Sequence, residues 1–258
     1  MVKNVASVET KGIKTVETSI AIVEALQELG EARMTDIANK TGLSKASVYK
    51  HLVTLVNNDF VVKDGCSYRL GFRYLDIGGE LRFHYPGATI IRPKIKELAE
   101  KTNEVGLFEV RENDSMVTLF RENSSQGVFT RTRLGKRMSL HHTAGGKSVL
   151  AHMPDEEVRA IIDETGLPAA TENSITDEGE FFDELDKIRD RGYAVNRGES
   201  TPGVVAVAAP VIPDETVLGA CAVTGPQHRL DLVEIEDDIT RTLLGITNEI
   251  ELNIVHSE

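Results

Sequence analysis

The chain has 258 residues, 40% hydrophobic and 27% charged, with a formal net charge of −12. These are globular proportions that argue against bulk disorder, and at roughly 150 residues per domain the length favours two modest cores. No apolar run reaches the roughly 20 residues of a membrane span, and the N-terminal MVKNVASVETKG lacks the apolar segment of a secretory leader, so a cytoplasmic protein without a membrane partner is expected.

Cys66 and Cys221 lie far apart with no C-x-x-C spacing, which argues against both a disulfide and a metal cluster. Residues 1–80 hold ten Lys and Arg against ten Asp and Glu, whereas residues 81–258 hold nineteen against thirty-one. The acidity that would repel DNA phosphates is therefore confined to the C-terminal part. Two explanations of that excess stay open, simple solubility and adaptation to a salt-rich cytoplasm.

Residues 1–14 read as an N-terminal arm. From Val16 to Leu29, apolar Ile20, Val23, Leu26 and Leu29 recur at helical spacing before Gly30, which predicts a first helix with a glycine stop. ARMTDIANKTGLSKASVYKHLVTLVNNDF follows as two short helical patterns split by Thr41-Gly42-Leu43. Thr35 can cap a helix carrying Ile37 and Ala38, and Ser44 can cap one carrying Val48, Leu52 and Leu55. Small Ala38 permits close approach, Gly42 supplies the turn, and Val48 fills the angle, which is the pattern of a helix-turn-helix.

FVVKDGCSYRLG then alternates around Asp64-Gly65, predicting a hairpin of Phe60–Lys63 and Cys66–Leu70. A helix-turn-helix followed by a hairpin is a winged helix, placed at residues 15–73. With Val48, Leu52 and Leu55 inward, the outward and leading positions of the second helix are Ser44, Lys45, Ser47, Tyr49, Lys50, His51 and Thr54. Lys45 and Lys50 can meet phosphate or guanine, and Ser47 and Tyr49 can offer short-range hydrogen bonds to double-stranded DNA. The competing readings are a merely solvated helix face, or a winged helix that docks a protein.

GFRYLDIGGELRFHYP carries Leu75 and Leu81 around Gly78-Gly79 and ends at Pro86-Gly87, a linker helix over residues 74–90 with a weak point. Its apolar side chains fit dimer packing or docking on its own chain equally well. Residues 91–258 form the second domain. RPKIKELAEKTN is an amphipathic helix; VGLFEV and MVTLFRE are strands joined at Arg111–Asp114; Thr143 caps a helix from Ala144 to Met153. EGEFFDELDKIRDRG is a helix closed by Gly192, and YAVN a strand. Val204–Ile212 and Val217–Thr224 are strands buried on both faces, and a long helix from Leu230 to about Val255 carries Ile235, Ile239, Leu243, Ile246 and Ile250. Helices interleaved with hairpin-connected strands make an α+β domain rather than a parallel nucleotide-binding sheet.

HHTAGGKS is written like a phosphate loop, but the position six before Lys147 is His141 where that loop needs glycine. Its small residues leave the first turn of the helix bare, which suits a carboxylate or, equally, tight packing on the sheet. A hydrolase lacks G-x-S-x-G and a defined base, and the histidines lack metal-ligand spacing, so neither a catalytic residue nor a metal nor a cofactor is assigned. Cys221, on a buried strand, reads as packing.

TAGGKSVLA, RDRGYAVNRGES, GVVAVAAPV and ACAVTGP-x-x-R, in that order behind GLSKASVYKHLVTL, resemble the IclR family of transcription regulators across essentially the whole chain. The resemblance implies a winged helix, a linker helix that dimerises, and a C-terminal GAF-like domain with a mixed or antiparallel sheet that binds a small effector, commonly an organic acid or aromatic catabolite. Carried onto this sequence, the effector residues are Ala144, Gly145, Asn196, Ala206, Ala222 and Thr224. Asn196, Ala206 and Ala222 stand where relatives carry Asp, Cys and Ser, which removes an acid that would repel an anion and makes room for a larger ligand. The expected partners are an operator duplex, an effector, and further copies of the chain in a homodimer or homotetramer. A small-molecule-processing enzyme is the remaining alternative.

Overall fold

A computed structural model describes residues 12–124, 132–230 and 238–257 of the chain. It divides into two compact units at Leu81/Arg82. In the first, helix α1 (Lys14–Leu29) precedes the short strand β1 (Ala32–Arg33), helices α2 (Met34–Thr41) and α3 (Lys45–Asn57), and a hairpin of β2 (Val61–Asp64) and β3 (Ser67–Leu70). β1 joins the hairpin as a third strand against β3, a pairing of two residues too short to show as alternation. The core gathers Ile22, Leu26, Ile37, Val48, Leu52, Val61 and Tyr68.

Two local expectations are corrected here. The buried stripe of α1 is Ile22, Ala25 and Leu26, while Ile20 and Leu29 are exposed, because packing selects a face one step round from the apolar spacing. The start of α2 is held not by Thr35 but by Asp36, whose carboxylate accepts from the Arg33 N–H at 3.0 Å. Ser44 does cap α3, its hydroxyl accepting from Ser47 N at 3.2 Å. Gly42 sits at φ 70°, ψ 8° with open space around its missing Cβ, so conformation rather than room demands glycine there.

Helix α4 (Arg73–Phe83) runs unbroken through Gly78-Gly79 and buries no residue. In the second unit α5 (Ala88–Thr102) is followed by β4 (Val105–Glu112), β5 (Ser115–Asn123) and β6 (Arg137–Ser139), then α6 (Ala144–Leu150), α7 (Asp155–Thr165) and α8 (Glu178–Arg191). β7 (Ala194–Arg197), β8 (Val204–Val211), β9 (Gly219–Pro226) and α9 (Thr240–Val255) complete it. The six strands form one antiparallel sheet in the order β6-β5-β4-β9-β8-β7. α6 ends at Leu150, short of Met153, and Ile235 of the expected last helix lies outside the described residues.

The two faces of the sheet differ in side-chain size. Val205, Val207 and Val211 of β8 and Cys221 and Val223 of β9 pack with Ile95, Leu98, Leu243, Ile246 and Ile250 of α5 and α9. Ala206, Ala208, Ala220 and Ala222 point the other way, to α6 and α8. Alternation in a strand sends neighbours to opposite faces, so VVAVAAPV and GACAVTG each carry a large face and a small one. The small face admits α6 through its glycines. A Cβ at Gly146 would come within 2.6 Å of the Leu140 Cα and closer still to the Leu140 carbonyl oxygen.

Candidate DNA-reading helix and effector cavity

On α3, Ser44, Lys45, Tyr49, Lys50 and Thr54 are exposed, while Ser47 and His51 are half-buried. His51 is turned toward α1, with Nδ1 2.7 Å from the Ser19 hydroxyl. Thr54 donates to the Lys50 carbonyl at 3.3 Å, and Ser44 is committed to the cap. Among the described residues neither Lys45 nor Lys50 is engaged by a carboxylate, so both ammonium groups are available to phosphate. The first turn of α3, free of acidic residues, leads with Lys45.

In the second unit Ala144, Gly145, Asn196, Ala206, Ala222 and Thr224 all line one cavity of about 480 Å³. The small face of the sheet makes this space, since α6 rests on alanines and leaves a hollow where β8 and β9 run past its start. The neutral side chains are less free than their chemistry promised. Asn196 Nδ2 donates to the His142 carbonyl at 2.5 Å and to Ser200 Oγ at 3.0 Å, while its Oδ1 accepts from Glu199 N at 2.9 Å. Thr224 donates its proton to the Val205 carbonyl at 3.1 Å, which leaves it only acceptor capacity.

The first turn of α6 is not bare. Thr143 caps it, accepting from Gly146 N at 3.0 Å, and the Glu109 carboxylate fills the space that a Gly145 side chain would take. Glu109 is 5% exposed and lines the cavity, and among the described residues its carboxylate accepts one hydrogen bond, from the Thr118 hydroxyl to Oε1 at 3.4 Å. The β4–β5 register slips between Phe108 and Glu109, pairing Phe108 with Phe120 but Glu109 with Thr118. That bulge brings the hydroxyl opposite the acid. Burial pushes the Glu109 carboxyl up to about 7, against the opposing pull of Thr118 and of the Lys136 ammonium, which also lines the cavity.

Residues 15–65 match the IclR helix-turn-helix domain, and residues 87–251 match the family described as bacterial transcriptional regulator IclR C-terminal. The chain belongs to the IclR family. Accordingly it is a DNA-binding transcriptional regulator with a C-terminal ligand-binding domain. Among relatives of this IclR-family chain, a probable HTH-type transcriptional regulator ArcR of Halobacterium salinarum is 26% identical over 251 residues, covering 95% of each chain. The crystal structure of the Thermotoga maritima IclR superposes with a TM-score of 0.79 at 24% identity, over 95% of this chain and 100% of that one. An IclR homologue of Microbacterium hydrocarbonoxydans, solved with 4-hydroxybenzoate, does so at 0.77 and 19% identity, over 93% and 100%. Among the described residues no helix is long and apolar enough to cross a membrane.

Sequence reasoning passed over two residues of this IclR domain. Lys147 of HHTAGGKS points inward, donating to the Val195 carbonyl and to both oxygens of Glu199, each at 2.8 Å, so the lysine of the loop is a buried strut and not a phosphate ligand. Glu109 was hidden in VGLFEV, where an acid at the alternating core position after Val105 and Leu107 was itself the signal. A pH experiment follows. The folded chain holds the Glu109 proton up to about 7 whereas the unfolded chain releases it near 4.5, so wild-type stability falls as pH rises through that window and levels above it. Around Glu109 stand Thr118 of β5, Gly145 of α6 and the Lys136 ammonium. Glu109→Gln is expected to lack this loss and to gain up to about 3 kcal/mol on wild type between about pH 4.5 and about pH 8, read by urea unfolding.

Proposed function

We propose that this chain is a one-component regulator in which a small metabolite, bound in the cavity of the second unit, changes the spacing of two winged helices on a palindromic operator. The observation that carries the reading is the convergence of six residues from four separate segments on one cavity, in a chain whose exposed α3 leads with a lysine that no carboxylate among the described residues engages. The effector needs only to bind one dimer geometry better than another, since a population shifts by differential affinity. A fold relative solved with 4-hydroxybenzoate supports a small organic acid or aromatic catabolite as ligand.

Operator recognition falls to the exposed face of α3, with Lys45 and Lys50 on phosphate or guanine and Ser47 and Tyr49 at base edges; His51, tied to Ser19, positions the helix. Fragments of the source genome selected by the protein provide the operator. On it, Lys45→Ala with Lys50→Ala is expected to flatten the slope of log affinity against log salt by about 0.9 per lost phosphate contact and leave effector affinity unchanged. An unaltered slope would remove these residues from the interface. Salt-independent affinity for every duplex would favour a protein-docking winged helix instead.

Self-association is assigned to α4. Phe72, just before the helix, and Leu75, Leu81 and Phe83 on it are 78%, 68%, 69% and 70% exposed, apolar side chains on a helix that buries nothing of its own. Leu75→Asp with Leu81→Asp is expected to convert the assembly to monomers in light scattering and to abolish binding to the paired half-sites. A mutant that keeps its mass would place the interface elsewhere.

A further inference from the structure

We propose that Glu109 sets the class of molecule the cavity accepts: a small metabolite resembling an amino acid, whose protonated amine meets the Glu109 carboxylate and whose acidic end turns toward Lys136. The inference rests on the cavity being the effector site and narrows the ligand within it. Three observations carry it.

First, Glu109 occupies a position that packing would give to an apolar residue. Val105 and Leu107 precede it on the same face of β4, and both are buried against α6 and α8. A carboxylate there sacrifices hydration, a cost that structure alone gives no reason to bear. Second, among the described residues the other buried acids of this unit are paired with cations and Glu109 is not. Glu199 is held by Lys147 at 2.8 Å and Glu104 by Arg229 at 2.9 Å. Among the described residues Glu109 has no cation within ion-pair distance, and its single hydrogen bond is a long one from a hydroxyl. Third, the surroundings are shaped to the carboxylate. Gly145 leaves room for it, Thr118 is brought opposite it by the bulge, and it forms part of the cavity wall.

Lys136 supplies the complementary end. It is half-buried at the approach to β6 and lines the same cavity, close enough for its charge to act on Glu109 without forming an ion pair. Two opposite charges that share a cavity but do not touch match a dipolar ligand that spans them. A ligand with only a carboxylate would hold Glu109 in its protonated form or meet repulsion from it, whereas a protonated amine favours the ionised Glu109 and pairs with it.

The test uses the full-length protein and three probes of one carbon skeleton: 5-aminopentanoate, pentylamine and pentanoate, followed by calorimetry and thermal shift. The expected order of affinity on wild type is 5-aminopentanoate, then pentylamine, then pentanoate. Glu109→Gln is expected to weaken both amines by about thirtyfold or more and to improve pentanoate. Glu109→Asp, which keeps the charge, is expected to retain the amine preference and so separates loss of charge from loss of fold. If pentanoate binds wild type best, or the amines bind Glu109→Gln as well as wild type, the inference falls while the cavity stands as the effector site. If none of the three binds wild type or either variant, the effector reading of the cavity falls with it.

Discussion

Lys147→Ala is expected to destabilise the sheet-bearing unit severely. The Lys147 side chain is 1% exposed and its ammonium reaches three acceptors, two on Glu199 and one on Val195. The attraction between the partners is offset by the cost of stripping water from both, so the pair itself contributes little net stability. Removing one partner is different, because Glu199 would be left charged and dry, and such losses run to about 3–5 kcal/mol. That is a large part of the roughly 5–15 kcal/mol that holds a domain together. Calorimetry should show the transition of the C-terminal unit moving sharply down while that of the winged helix stays in place. Lys147→Met combined with Glu199→Leu, which removes both charges, should recover most of the loss. A Lys147→Ala protein as stable as wild type would show that Glu199 finds water, and that the pair is not the strut described here.

The two neighbouring glycines of α6 should behave in opposite ways. A Cβ at Gly146 would meet the backbone of Leu140, 2.6 Å from its Cα and 2.7 Å from its carbonyl carbon, and backbone cannot step aside. Gly146→Ala is therefore expected to push α6 off the sheet, to cost about 3 kcal/mol or more, and to spoil the cavity whose edge α6 forms. A Cβ at Gly145 would instead meet the Glu109 Oε2, the far end of a flexible side chain, with Met116 Cε next at 3.5 Å. There the carboxylate can move, and replacing a helical glycine by alanine stabilises by about 0.5–1 kcal/mol. Gly145→Ala should consequently fold nearly as well as wild type yet displace Glu109 and alter ligand affinity. Thermal unfolding of the two variants side by side decides the matter, and equal destabilisation would refute the close approach at residue 146.

Much of this architecture was legible in local pattern. The glycine at 42, the cap at Ser44 and the apolar spacing of Val48 and Leu52 define a helix-turn-helix without reference to anything distant, since each acts within one or two turns of chain. The Thr143 cap and the Gly192 stop were readable for the same reason. Where a helix had two near-equal apolar stripes, as in α1, the pattern named the wrong one, because the choice between Ile20 and Ile22 is made by what packs against the helix.

The sequence by itself determined the winged helix, the α+β class and, through the family resemblance of four ordered motifs, six of the residues that line the cavity, while β1, β6 and α7 left no pattern that was read. Only the tertiary structure decided that Ala206, Ala208, Ala220 and Ala222 share one face, that Lys147 is an internal strut, and that an acid from β4 stands against the start of α6. Each of these depends on strand pairing or on a bulge between segments far apart in the chain. A side chain's burial, and the charge it then leaves uncompensated, is settled by those distant neighbours and not by the residues beside it.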